Sequence, residues 1–169
     1  MAAFEQINRS NGTRSRDREQ DGKSISLSLE VAREQIDSGW ASVLVADGKV
    51  LDREKGRGIK PALLILQRMG QTAGRYPNLV FGDRVLGLAA FRLGALMGAE
   101  AMWGTLVSQP VLTEAASRGI VVEGRKLVPS ILNRAGDGLC PMEQLSAACE
   151  SDTQFYTELV KKLQGSEAR

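Results

Sequence analysis

The chain contains no histidine and only two cysteines, Cys140 and Cys149. Without an imidazole there is no Cys-His nucleophile pair. A catalytic zinc centre draws its three protein ligands mostly from His and Cys. Two thiols, with carboxylates not spaced as ligands, do not complete one, so no metal site is expected. Aromatic residues make up 5%, and neither Trp40 nor Trp103 joins an alternation of basic and aromatic residues that could stack bases. A formal charge of +2 adds no case for nucleic acid, which is therefore not supported. The longest apolar run, Val85 to Met97, is broken by Arg92 and falls short of the roughly 20 residues that span a bilayer. No secretory leader pattern opens the sequence, and two thiols fit a reducing compartment. The expectation is a cytoplasmic, soluble protein with no cofactor.

What is present reads as one globular domain with tails: 43% hydrophobic and 25% charged residues are ordinary for such a chain of 169 residues. Residues 1–24 are polar and partly basic, with too little apolar surface to offset ordering, and read as a disordered tail. The domain proper spans 25–150, and residues 151–169 form a C-terminal helix and tail. Leu29, Val31, Ala32 and Ile36 recur at helical spacing before Ser38-Gly39. Two β-prone runs flank Asp47-Gly48, a strong hairpin signal. A helix follows from Pro61 to Met69, then a short strand at Leu79–Phe81. Gly82-Asp83 is expected to open a helix to Met97, with Asp83 as its cap. Glu100–Val107 reads as a strand, Ser108-Gln109-Pro110 starts a helix ending at Gly119, and Ile120–Val122 is a further strand. An irregular stretch occupies 129–141. A hairpin followed by strand–helix alternation implies an α/β fold, a mixed sheet of about five strands with helices on both faces, in three αβα layers.

That order resembles the cytidine-deaminase-like fold. The run from Asn133 to Glu143, with Arg57–Pro61 and the Gly119-Ile120 and Leu127-Val128-Pro129 stretches, resembles the domain-of-unknown-function-1893 family. The resemblance implies a deaminase-like fold with no established reaction. Active deaminases of that fold place His/Cys-x-Glu at one helix start and Pro-Cys-x-x-Cys at the next, holding the zinc that activates water. Here the first position falls near Leu86-Gly87-Leu88. At the second, Pro110 is followed by Val111 and Glu114 where thiolates should stand. Every ligand and the catalytic base are missing, which argues against zinc-dependent deamination.

Three stretches remain as candidate sites. Arg53 to Pro61 carries Arg57, Gly58 and Lys60 ahead of a helix; it is either an anion cradle or a solvated basic turn. Asp83 and Arg84 stand where a strand meets a helix, the usual ligand edge of an α/β sheet. Asp83 is a helix cap, a ligand for a ribose or base, or both. Ser108 precedes the next helix and reads chiefly as a cap. The densest group is Asn133 to Glu143, in which Arg134 and Asp137 either pair with each other or receive a ligand. Asp137, Cys140 and Glu143 are the candidates for chemistry. Pro141 can open a short helix that favours a Cys140 thiolate, although a free cysteine is more often a small buried residue. Cys149 reads as packing.

Three functions are compatible with these residues. The first is a metal-free protein binding a nucleotide- or nucleoside-type ligand. The second is a metal-free transferase or hydrolase on a nucleotide-like substrate, working through Asp137, Cys140 or Glu143. The third is an interaction or scaffold subunit without a small-molecule ligand. A homo-oligomer is compatible with each.

Overall fold

The computed structural model describes residues 2–169, with side chains from Arg16 onward. A long helix α1 (Ala2–Asp37) leads into a hairpin of β1 (Ser42–Ala46) and β2 (Lys49–Glu54). Helix α2 (Lys60–Met69) and a 3-10 turn (Gly70–Thr72) follow. Then come β3 (Leu79–Leu86), α3 (Leu88–Met97), β4 (Ala101–Ser108), α4 (Gln109–Arg118) and β5 (Val121–Val128). Helices α5 (Pro141–Ala148) and α6 (Asp152–Glu167) end the chain.

The hairpin forms because Asp47 and Gly48 both adopt positive φ, 50° and 72°, the backbone of a two-residue turn matched to strand twist. The five strands lie in the order β2-β1-β3-β4-β5. β1 is antiparallel to both neighbours, whereas β3, β4 and β5 run parallel. The sheet is therefore mixed, with helices on both faces, as the alternation implied.

Period-two alternation sorts the apolar residues into two cores. Val43, Val45 and Val80 face α1 and meet Leu29, Ala32 and Ile36, with Trp103 at the margin. Leu44, Leu79, Phe81 and Met102 face the other way, against Ile65 of α2 and Phe91 and Leu93 of α3. Phe155 and Leu159 of α6, both fully buried, close this larger core from outside. The C-terminal helix is thus part of the packed body.

Three boundaries differ from the sequence reading. No helix opens at Gly82-Asp83. β3 runs on to Leu86, because residues 82 and 83 pair with Val43 and Ser42 on one side and with Trp103 and Gly104 on the other. A Cβ on Gly82 would stand 2.9 Å from Val43 and 3.2 Å from Ala32, so glycine is needed for α1 to lie this close to the sheet. α3 begins at Leu88, with Gly87 at its N-cap. At the N-terminus, α1 includes the segment 16–24 that composition assigned to a tail. Tertiary partners hold it: Asp21 accepts from the Asn78 amide at 3.1 Å, and Ser24 donates to Asp47. The rest of that expectation falls on residues 1–15, whose side chains lie outside those described. β5 also extends past Val122 to Val128, in one register with β4 throughout.

Gly94 of α3 sits against the sheet, where an added Cβ would meet Met102 at 2.7 Å and Phe81 at 2.8 Å. Gly→Ala inside a helix ordinarily stabilises by about 1 kcal/mol. Here overpacking wins, and Gly94→Ala is expected to destabilise by about 1–3 kcal/mol in urea unfolding. A stabilised variant would contradict this packing.

Candidate functional site

The end of β3 and the start of α3 form one wall of a cavity of about 510 Å³. The turn ahead of α2, the loop after β5 and the first turn of α5 supply the rest. It occupies the carboxyl edge of the parallel strands, where open α/β sheets hold ligands. Most of the expected site residues converge there. Arg57 and Gly58 come from the basic turn, Asp83 and Arg84 from β3, Asn133 and Arg134 from the loop, and Cys140 and Glu143 from the start of α5.

Three expected residues do not line it. Lys60 reaches away to Glu167 at 3.1 Å. Ser108 occupies the N-cap position of α4 but makes no capping bond, and its buried Oγ has no partner among the described residues. Asp137 accepts from Asn133 Nδ2 at 2.8 Å, and its own N–H donates to Asn133 Oδ1 at 3.2 Å. The loop is therefore braced by Asn133 and Asp137 rather than by Arg134 and Asp137. That leaves Arg134 exposed at the cavity rim.

Glu143 holds the key structural position. The N–H groups of Leu88 and Ala89 donate to its two carboxylate oxygens at 2.8 and 2.9 Å. Helix α3 has no acidic residue in its first turn and no side-chain cap of its own. Its unpaired N–H groups and positive dipole end are met instead by a carboxylate from α5, 55 residues away in sequence. Gly87 makes room: a Cβ there would stand 2.6 Å from Glu143 Oε1 and 2.8 Å from Ile131. Glu143 thus reads as an anchor, with both oxygens already engaged.

Asp83 is only 6% exposed on the cavity wall. Ser42 Oγ donates to it at 2.6 Å and the Val85 N–H at 2.9 Å. Burial disfavours the charged form and pushes its pKa up to about 7, against the pull of those two bonds and of Arg84. It is a carboxyl that exchanges a proton near neutrality, and its burial could not be read from an isolated Gly-Asp. Arg84 is exposed and donates to the Gly56 carbonyl, tying β3 to the basic turn. Arg57 and Arg134 form no ion pair among the described residues.

Cys140 is half-buried at the N-cap of α5, and Cys149 is buried as expected for packing. The apolar part of the lining, including Ile59, Val85, Ile131 and Met142, carried no signal in the sequence beyond hydrophobicity. At the helix starts where the resemblance would put zinc ligands, Leu86 and Val111 are fully buried and Glu114 pairs with Arg118 at 3.0 Å. Among the described residues no cluster of three His, Cys, Asp or Glu could hold a metal ion. No helix among them is long and apolar enough to cross a membrane.

Removing the Glu143 carboxylate strands two N–H groups of α3, so Glu143→Ala is expected to cost about 1.5–3 kcal/mol in urea unfolding. A loss below about 0.5 kcal/mol would contradict the anchoring role. Asp83 makes stability depend on pH. Between its usual value of 3.8 and about 7, the unfolded chain has lost the proton that the folded chain keeps. Stability therefore falls as pH rises through this window, by on the order of 4 kcal/mol in total, and the loss levels off above it. Asp83→Asn should flatten that decline in denaturation midpoints measured from pH 4 to 8. Parallel curves for the two proteins would rule it out.

Residues 31–163 match the family described as Domain of unknown function (DUF1893). No curated protein matches the chain. Among solved structures, the fold is similar to the crystal structure of a DUF1893 family protein (TM1506) from Thermotoga maritima, with a TM-score of 0.68 at 18% identity. That likeness covers 79% of this chain and 89% of the other. With the family match spanning most of its length, the chain belongs to the DUF1893 family.

Proposed function

We propose that the protein binds a small anionic ligand of nucleotide type in the cavity beside α3, without a metal. The observation that carries this reading is the state of its charges. Three guanidiniums, those of Arg57, Arg84 and Arg134, border the cavity. Of its two carboxylates, Glu143 accepts from two N–H groups of the α3 N-terminus, which offsets part of its charge, and Asp83 is partly protonated near pH 7. The balance is positive, and Arg57 and Arg134 have planar donor faces suited to phosphate. Ile59, Ile131 and Met142 offer an apolar surface for a flat ring, and Asp83 and Asn133 offer polar groups to orient it. The resemblance to the deaminase-like fold supports the nucleoside part of the reading by analogy.

A second reading, a metal-free transferase or hydrolase, is favoured by Cys140 and Asp83 sharing the cavity wall. Asp137 and Glu143 are engaged elsewhere and are weaker choices for chemistry.

Calorimetric titration with nucleoside monophosphates and with the matching nucleosides separates these ideas. The phosphorylated ligands should bind more tightly. Arg57→Ala and Arg134→Ala should each weaken them about tenfold, as for a hydrogen bond to a charged group, and leave the nucleosides unaffected. Equal binding of both series would remove the anion site, and no heat from either would favour the scaffold reading. A mass increase at Cys140 that survives denaturation would favour the enzyme.

A further inference from the structure

Strand β5 closes one edge of the sheet, and no strand lies beyond it among the described residues. The Val121 N–H donates to the Glu100 carbonyl at 3.2 Å, with Val121 opposite Ala101. In a parallel ladder this fixes the phase of the whole strand. Residues 121, 123, 125 and 127 turn their N–H and C=O groups toward β4. Residues 122, 124, 126 and 128 turn theirs outward.

Open edges are commonly blunted by brevity, proline, a bulge or charged side chains, and of these β5 has only the charges of Glu123, Arg125 and Lys126. The opposite edge, β2, has six residues, and its pairing with β1 shifts register between Leu44 and Val45. β5 has eight residues, contains no proline and keeps one register with β4 along its length. It also leaves Val121 49% and Leu127 53% exposed. Glu123 and Arg125 lie between them on the same face. Arg125 is fixed there by Asp37 of its own chain, at 2.8 and 2.9 Å, and lies 5.6 Å from the Trp103 ring centroid. Glu123 has no ion-pair partner among the described residues.

We propose that two copies of this chain join through β5, antiparallel about a two-fold axis at Gly124, so that their sheets become one. The side-chain order Val-x-Glu-Gly-Arg-x-Leu is self-complementary in that register. Glu123 faces Arg125 of the second copy and Val121 faces its Leu127, each twice. The outward-turned Val122 and Lys126 exchange backbone hydrogen bonds, as does Gly124 with itself. Centring the pair on residue 123 would oppose two glutamates, and centring it on 125 would oppose two arginines. Charge therefore selects the Gly124-centred register, since like charges directly opposite destabilise a strand pair. This interface is independent of any ligand in the cavity.

Light scattering on the full chain at micromolar concentration should give twice the 18.3 kDa monomer mass. Glu123→Arg and Arg125→Glu each place like charges at both facing positions, and each should raise the dissociation constant about tenfold or more. An equimolar mixture of the two variants restores opposite charges at every facing position and should recover the dimer. Circular dichroism checks that each variant is folded. In the wild type, the Val122, Gly124 and Lys126 amides should be protected from hydrogen exchange at high concentration and lose that protection on dilution. A monomer at all concentrations, a variant that keeps the wild-type dimer, a mixture that stays monomeric, or amides that exchange freely throughout would each overturn the proposal.

Discussion

Strand β3 must satisfy neighbours on all sides, and the rest of the molecule is arranged around that demand. β1 pairs with it antiparallel and β4 pairs with it parallel, so both rows of its backbone groups are spent in the sheet. α1 lies on one face and α3 on the other, so Leu79, Val80 and Phe81 are buried whichever way they point. Each constraint has a residue that meets it. Gly82 lets α1 come close, Asp83 turns a polar group into the cavity, and Gly87 frees the chain to enter α3. A bulkier residue at 82 would push α1 off the sheet and open the smaller core.

The cavity inherits its character from what ends at its wall. A helix N-terminus facing a cleft ordinarily attracts an anion. In this protein α3 already has one in Glu143, so the positive potential left for a ligand comes from the arginines and from the start of α2, which has no acidic residue in its first turn. This arrangement also joins the two halves of the chain. The same pair of hydrogen bonds that caps α3 docks α5, and docking α5 holds the loop from 129 to 140 over the cavity. The loop has little hydrophobic anchorage of its own; Leu132 and Leu139 bridge across it, yet both remain about half exposed. The loop depends on Asn133, Asp137 and the turn between them.

Much of the architecture was legible because it rests on local chemistry. Asp47-Gly48 specifies a turn wherever it occurs between β-prone runs. Pro61 and Gly70 mark the ends of α2, and Pro110 and Gly119 those of α4. The convergence of Arg57, Asp83, Arg134 and Cys140 was legible only as a set of polar residues at strand and helix ends. What misled the reading at Asp83 was a real ambiguity. Asp after Gly before an apolar run is a good cap signal, and nothing nearby in sequence shows that Ser42 will lie 2.6 Å away. The segment 16–24 misled for the same reason, since its partners Asp47 and Asn78 belong to other elements.

The sequence by itself determined the class of fold, the turns, most helix ends and the absence of any histidine. These follow from residue identity and from periodicity over a few neighbours, which are present in any copy of the chain. The tertiary structure decided which polar groups are free to act. Asp83 keeps its proton to a higher pH because it is buried, Glu143 is spent because α3 needs an anion, and Arg57 and Arg134 stay available because no carboxylate among the described residues pairs with them. Those outcomes depend on distances between residues tens of positions apart, and only packing sets such distances.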